Sequence, residues 1–144
     1  IIQHDHGFAN DVITGNAIKE GVQTENAEWY GINQYLIYDV NDKLSAGLRA
    51  EWFRDHNGFR VAGPGLCVAA VNHGGNFACG SDYGNYTWEG SNYYAVTAGL
   101  SYKPVKWLNL RPNLRYDFTD ETKAFDNGNS RNQFLLTADA VITF

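Results

Sequence analysis

Along most of this chain the side chains alternate in character residue by residue, and the gaps between alternating runs are in turn short and long. Period two is the spacing of a strand, whose successive side chains point to opposite faces. Between Tyr30 and Val40, one parity carries Tyr30, Ile32, Gln34, Leu36, Tyr38 and Val40, and the other Trp29, Gly31, Asn33, Tyr35, Ile37 and Asp39. The next run sets Leu44, Ala46, Leu48, Ala50 and Trp52 against Ser45, Gly47, Arg49, Glu51 and Phe53. A third sets Tyr94, Val96, Ala98, Leu100 and Tyr102 against Tyr93, Ala95, Thr97, Gly99 and Ser101. A fourth sets Leu108, Leu110, Pro112, Leu114, Tyr116 and Phe118 against Asn109, Arg111, Asn113, Arg115 and Asp117. The last sets Phe134, Leu136, Ala138, Ala140, Ile142 and Phe144 against Gln133, Leu135, Thr137, Asp139, Val141 and Thr143. Residues 1–8 read as one further strand, followed by a loop through about residue 26.

The connections divide into two kinds. Asn41-Asp42 and Lys103-Pro104-Val105-Lys106 are short turns, whereas 55–90 and 119–131 are long and polar. Segregation of short turns to one end and long loops to the other belongs to outer-membrane barrels, with periplasmic turns and extracellular loops. The reading is therefore all-β: an antiparallel up-and-down transmembrane β-barrel, one domain over 1–144, with a long extracellular loop at about 55–90. Six strands fall short of the smallest bacterial barrel, about eight. Together with the opening on Ile1-Ile2, this suggests the C-terminal strands of a larger barrel.

Which solvent each face meets is argued from the aromatics. They make up 15% of the 144 residues, and on the apolar parity they sit at strand ends. Tyr30 and Tyr38 bracket one run and Tyr94 and Tyr102 another, each pair eight residues apart. At about 3.3 Å per residue and roughly 40° of tilt this spans about 20 Å, close to the ~25 Å lipid-facing band with its aromatic girdles. Trp52, Tyr116 and Phe118 join the outer girdle, and Phe144 the inner one. A tyrosine at a lipid boundary keeps its ring apolar and its hydroxyl wet. The competing reading is a soluble β-sandwich or lipocalin-like barrel with an aromatic core. Pro112 counts against any paired strand, because it lacks a ladder N–H.

Charge and motifs exclude other classes. The formal net charge is −5 and no Lys/Arg block occurs, so nucleic-acid binding has no electrostatic footprint. No apolar run reaches the ~18 residues of a transmembrane helix. No nucleophile elbow or nucleotide loop is present, and no cofactor is expected. Cys67 and Cys79 match no zinc spacing; they read as a local disulfide worth roughly 3 kcal/mol, or as two thiols. His4 and His6 share one face of a strand and would need a third ligand to hold a metal, so they read as a polar lumenal or rim patch. Asp117, Asp120, Glu121 and Asp126 surround the second loop at a spacing unlike an EF-hand.

Two stretches carry a resemblance. Leu48-Arg49-Ala50-Glu51-Trp52-Phe53-Arg54-Asp55 with Gly58, and Tyr102-Lys103-Pro104 followed by Leu110-Arg111-Pro112-Asn113-Leu114-Arg115-Tyr116-Asp117, resemble segments of the putative β-barrel porin-2 (OmpL-like) family of Gram-negative bacteria. The likeness is good over 27–144 and poor over 1–26. It implies that Pro112 is at home in its strand. It also implies a Glu where this chain has Asn113, so one lumenal charge is missing here. The terminal Phe144 with Ile142, Ala140 and Ala138 is similar to the last strand that barrel-assembly machinery reads in outer-membrane proteins.

The functional expectation is a non-enzymatic porin in the bacterial outer membrane, passing small hydrophilic solutes or ions. Its lumen would be lined by Arg49, Glu51, Arg111, Asn113, Arg115, Asp117 and Asp139. These charges either filter ions or neutralise one another to stiffen the wall. The expected partners are outer-membrane lipid, the solutes, the assembly machinery and further copies of the chain. The alternatives are a structural or interaction barrel, with an adhesive 55–90 loop or a sheathed partner protein, and a barrel enzyme acting on lipid or glycan.

Overall fold

The computed structural model describes residues 1–12, 14, 24–61, 90–126 and 129–144. Six strands follow one another: β1 (Ile2–Val12), β2 (Glu25–Asn41), β3 (Leu44–Asp55), β4 (Ser91–Val105), β5 (Leu108–Thr119) and β6 (Asn132–Ile142). They form one sheet in the order β1-β2-β3-β4-β5-β6, each antiparallel to the next. The expected up-and-down all-β architecture is the one found. The sheet is open, with β1 and β6 at its edges. The 11 residues of β1 and of β6 reach about 28 Å at ~3.3 Å per residue and roughly 40° of tilt, about the height of a hydrocarbon band. The 17 residues of β2 overreach it by several residues.

Register carries the alternation from strand to strand, so the two parities become two continuous faces. One row of neighbours is Leu48, Ala98, Leu114 and Leu136; the row beside it is Arg49, Thr97, Arg115 and Leu135. A slip of one residue in any strand would exchange its faces. Among the described residues, only Ala27 and Ala95 are buried hydrophobics, whereas Leu36 is 68% exposed, Phe134 65% and Leu136 72%. A soluble domain of this size buries a continuous apolar core. A sandwich or lipocalin-like core is absent from the described residues, and the apolar face lies open.

Four local features differ from the sequence reading. β1 runs to Val12, past the expected end at residue 8. The polar Ala9-Asn10-Asp11 is absorbed by a shift in pairing between Ala9 and Val12, with Asp11 at φ 53°, a conformation aspartate tolerates better than most residues. β4 continues through Lys103-Pro104 to Val105, and the turn falls at residues 106–107. A second irregularity between Tyr102 and Val105 accommodates Pro104. The turn after β2 falls at Asp42-Lys43, where Asn41 Oδ1 accepts from Lys43 N at 2.9 Å. Pro112 needs no bulge toward β6, where it faces Ala138 in register. Toward β4, pairing stops at Gly99↔Asn113 and resumes at Tyr102↔Leu110.

Candidate functional site

The seven residues expected to line a lumen lie on one face: Arg49 and Glu51 on β3, Arg111, Asn113, Arg115 and Asp117 on β5, and Asp139 on β6. They form two groups. Arg115 places Nη1 2.6 Å from Glu51 Oε1, while its Nε and Nη2 both lie 2.7 Å from Asp117 Oδ1. Arg49 Nη2 reaches the second Glu51 oxygen at 3.0 Å. Gln133 Nε2 donates to Asp117 Oδ2 at 3.0 Å. In the second group, Arg111 grips Asp139 with two bonds, Nε to Oδ1 at 2.7 Å and Nη2 to Oδ2 at 3.1 Å. The fork-to-fork geometry suits a planar guanidinium and not a lysine. Every charge among these residues therefore has an opposite partner at contact distance.

Arg115 reaches Glu51 across β4 because the residues between them are small. Glu51 pairs with Ala95, and Ala95 with Asp117; Arg49 pairs with Thr97, and Thr97 with Arg115. Arg49 also lies over the Tyr35 ring, 5.1 Å from its centroid, a cation–π contact. Between the two groups the wall is hollowed by Gly47 and Gly99. A trough of about 470 Å³ opens there, bordered by Tyr35, Arg49, Arg111 and Asn113. The Asn113 amide fills the space a Cβ at Gly99 would need, and its Nδ2 donates to Arg111 O at 3.1 Å. The amide that replaces the expected Glu thus adds no charge and stays within its own strand's hydrogen bonding.

Trp29, Tyr35, Phe53 and Tyr93 share the charged face, whereas the aromatics expected to form the girdles fall on the opposite one. At its loop end Tyr30 meets Trp52 edge-on at 5.6 Å, and Tyr94 stacks on Phe118 at 4.7 Å, with Tyr116 beside it at 5.9 Å. Trp52 Nε1 donates to Asn92 Oδ1 at 3.0 Å, so the indole has an apolar body and a bonded polar edge. At the turn end Tyr38, Tyr102 and Phe144 are exposed. Trp107, in the turn after β4, adds an exposed indole there, and Thr143 N donates to its carbonyl at 2.9 Å. Sequence reasoning passed over Trp107 because it breaks the parity of the strands, although an indole beside Lys106 is the composition of an interfacial anchor.

His4 and His6 lie on the aromatic face, opposite Ile32 and Tyr30, and not on the charged wall. His6 Nε2 is 3.1 Å from Glu28 Oε1. Among the described residues no group of three candidate ligands could hold a metal. The acidic residues of the second loop are likewise dispersed. Asp117 belongs to the wall, Glu121 pairs with Arg54 at 3.1 Å, and Asp126 turns the chain at φ 51° and accepts from Asn129. Cys67 and Cys79, and residues 62–89 of the long loop, lie outside the described residues.

Two clamps at the loop end were missed. Asp55 ends β3 on the charged face with no exposure to solvent. Its carboxylate accepts from three successive amides, Phe59 N at 2.9 Å, Arg60 N at 2.8 Å and Val61 N at 2.9 Å. Its register partner is Ser91, whose Oγ accepts from Glu121 N and Thr122 N at 3.4 and 3.3 Å. Asp120 completes the second clamp: Oδ1 accepts from Asn92 N at 3.0 Å and Oδ2 from Asn92 Nδ2 at 2.7 Å. Partial burial pushes the Asp120 carboxyl up, but these hydrogen bonds and those of its own amide and Ser91 outweigh it and hold the group below its usual range. The signal for the first clamp was present in the sequence, as an aspartate just ahead of Asn57-Gly58, a turn composition in which carboxylates bond the following amides.

A single antiparallel sheet with a cluster of paired charges on one face and an open apolar face edged by aromatics on the other is the wall of a porin-type β-barrel. The family model described as Putative beta-barrel porin-2, OmpL-like, matches residues 1–144, and the chain belongs to that family. The match takes in residues 1–26, where the residue-level likeness was poor. Neither a search of curated proteins nor a search of solved structures found a match.

Proposed function

We infer that the chain forms part of the wall of a bacterial outer-membrane porin, through which small hydrophilic solutes or ions diffuse passively. The observation that carries this reading is the opposition of the two faces. Paired charges line one, and exposed aliphatics between aromatic rows cover the other. Water on the first and lipid on the second satisfies both. The charged face then lines the lumen, the turns at 42–43 and 106–107 are periplasmic, and the clamped loops are extracellular. Further strands between the β1 and β6 edges would close the barrel.

Wall charges that are already paired bind a passing ion weakly, since any contact competes with an existing partner. They still create a field across the lumen that orients dipolar solutes. This combination suits diffusion of polar molecules with weak charge preference and no chemical step. Liposome swelling tests it. Vesicles holding the complete protein should swell in isotonic solutions of small sugars, at rates falling with solute size. Vesicles with correctly inserted protein that swell no faster than empty ones would refute it.

A further inference from the structure

The start of the long loop does not leave the barrel mouth; it folds back over the charged face. His56 N donates to Glu28 O at 3.0 Å, and Asn57 Oδ1 accepts from Glu28 N at 3.2 Å, so the chain stays paired to β2 for two residues beyond β3. Gly58, at φ 69°, then reverses it, a conformation that is unstrained only without a Cβ. The three Asp55 bonds fix residues 59–61 on the inner side. There the Phe59 ring packs 5.9 Å from Trp29, and the Arg60 guanidinium lies 5.0 Å above the same indole. Trp29 is itself seated on the charged face, with its indole over Gly7. From the other side Phe125 approaches. Val61 and Phe125 together border a cavity of about 310 Å³ whose floor includes Glu51, Arg115 and Asp117.

We propose that residues 59–61, held inward by Asp55, form with Phe125 the narrow passage of this pore, and that Arg60 is the residue that reads solute charge there. The proposal rests on the pore reading above and names its selective element. The charges clustered at the middle of the wall, Arg49, Glu51, Arg111, Arg115, Asp117 and Asp139, are poor discriminators because each is paired. Arg60 has no carboxylate partner among the described residues and is exposed. It stands on an aromatic platform, which leaves its guanidinium edge open to an anionic or carboxylate-bearing solute. The filter would therefore favour small anions over cations, and would exclude bulky solutes through Phe59, Val61 and Phe125.

The test is single-channel recording of the complete protein and three variants in planar bilayers. Asp55→Asn removes the charged acceptor of three amides and should release the segment, raising unitary conductance about twofold if this passage is the narrowest, since conduction follows the tightest section and its lining. Arg60→Glu alters only an exposed side chain, and should move the reversal potential in a salt gradient toward cation preference. Arg60→Ala should abolish anion preference without reversing it. Should Asp55→Asn fail to assemble, the two Arg60 variants decide the matter. Variants that insert and conduct like the parent would overturn the filter while leaving the pore intact. A parent that inserts and stays silent would overturn both.

Discussion

Arg115 on β5 reaches over Ala95 and Thr97 of β4 to bring its guanidinium within 2.6 Å of Glu51 on β3. Sixty-four positions separate the two residues in sequence, and two strand pairings bring them together. Glu51 is the hinge of the group, because its other oxygen holds Arg49. One carboxylate thus compensates two arginines on a wall where no larger β4 side chain intervenes.

Glu51→Gln should leave both arginines without that charge. Breaking a fully buried pair costs several kcal/mol, but the two guanidinium side chains are each about a third exposed, so solvent screening reduces the expected loss to about 1–2 kcal/mol. Equilibrium unfolding from detergent or lipid measures it. The same variant should shift the reversal potential toward anions. A variant of parental stability and selectivity would mean that the group carries neither load.

The apolar face makes a second prediction, through a matched pair of substitutions. Leu114 lies in the middle row of that face, beside Ala98 and Leu136, while Thr137 occupies the opposite face beside Asn113. Leu114→Arg should cost about 2–4 kcal/mol in a bilayer, the cost of a cation at mid-depth on a lipid face. Thr137→Arg should cost far less, because its charge enters water. Folding titrations into lipid vesicles compare the two. Equal costs would contradict the assignment of faces.

Gly99 and Asn113 predict a repairable clash. A methyl group at Gly99 enters the volume of the Asn113 amide, and overpacking of this kind costs about 1–3 kcal/mol. Gly99→Ala should be destabilised by that order. The double variant with Asn113→Ala should recover most of the loss, giving a coupling energy well outside the error of a double-mutant cycle.

Asp120 predicts a response to acid at the barrel mouth. Its folded value is lowered, so the unfolded chain binds the proton more tightly. The contribution to stability is complete above the unfolded value of about 3.9 and is lost as pH falls through the folded one. An NMR titration of Asn92 and Asp120 in micelles should therefore show its midpoint below 3.9. Asn92→Ala removes the side-chain donor and should move that midpoint upward. A parental midpoint at or above the ordinary value would contradict the clamp.

The faces were legible in the sequence because alternation is a local property. Leu44 to Trp52 declares its two parities without reference to any other strand, and pairing merely lines such rows up. The pairing of Arg111 with Asp139 was not legible, because both residues had a place on the same face but register alone decides that they are opposite. Pro104 misled, since proline is a turn residue by composition, yet an irregular strand end tolerates its missing N–H as well as a turn does. Residues 9–12 were misread for a similar reason: three polar or small residues look like a loop, and only pairing with β2 extends the strand through them. His4 and His6 read by their polarity as a lumenal or rim patch, and register takes them off the charged face and puts them beside Ile32 and Tyr30. The inward fold of 59–61 depends on one buried aspartate bonding amides four to six residues ahead, a geometry to which composition gives only a hint.

The central claim is that the charged face lines a water-filled lumen crossing a membrane. The most direct measurement is the current through single copies of the complete protein in a planar bilayer. Stepwise openings with a linear current–voltage relation, and a conductance rising with salt concentration, are the predicted result. Protein shown to be inserted and folded, yet carrying no current above the bare membrane, would contradict it.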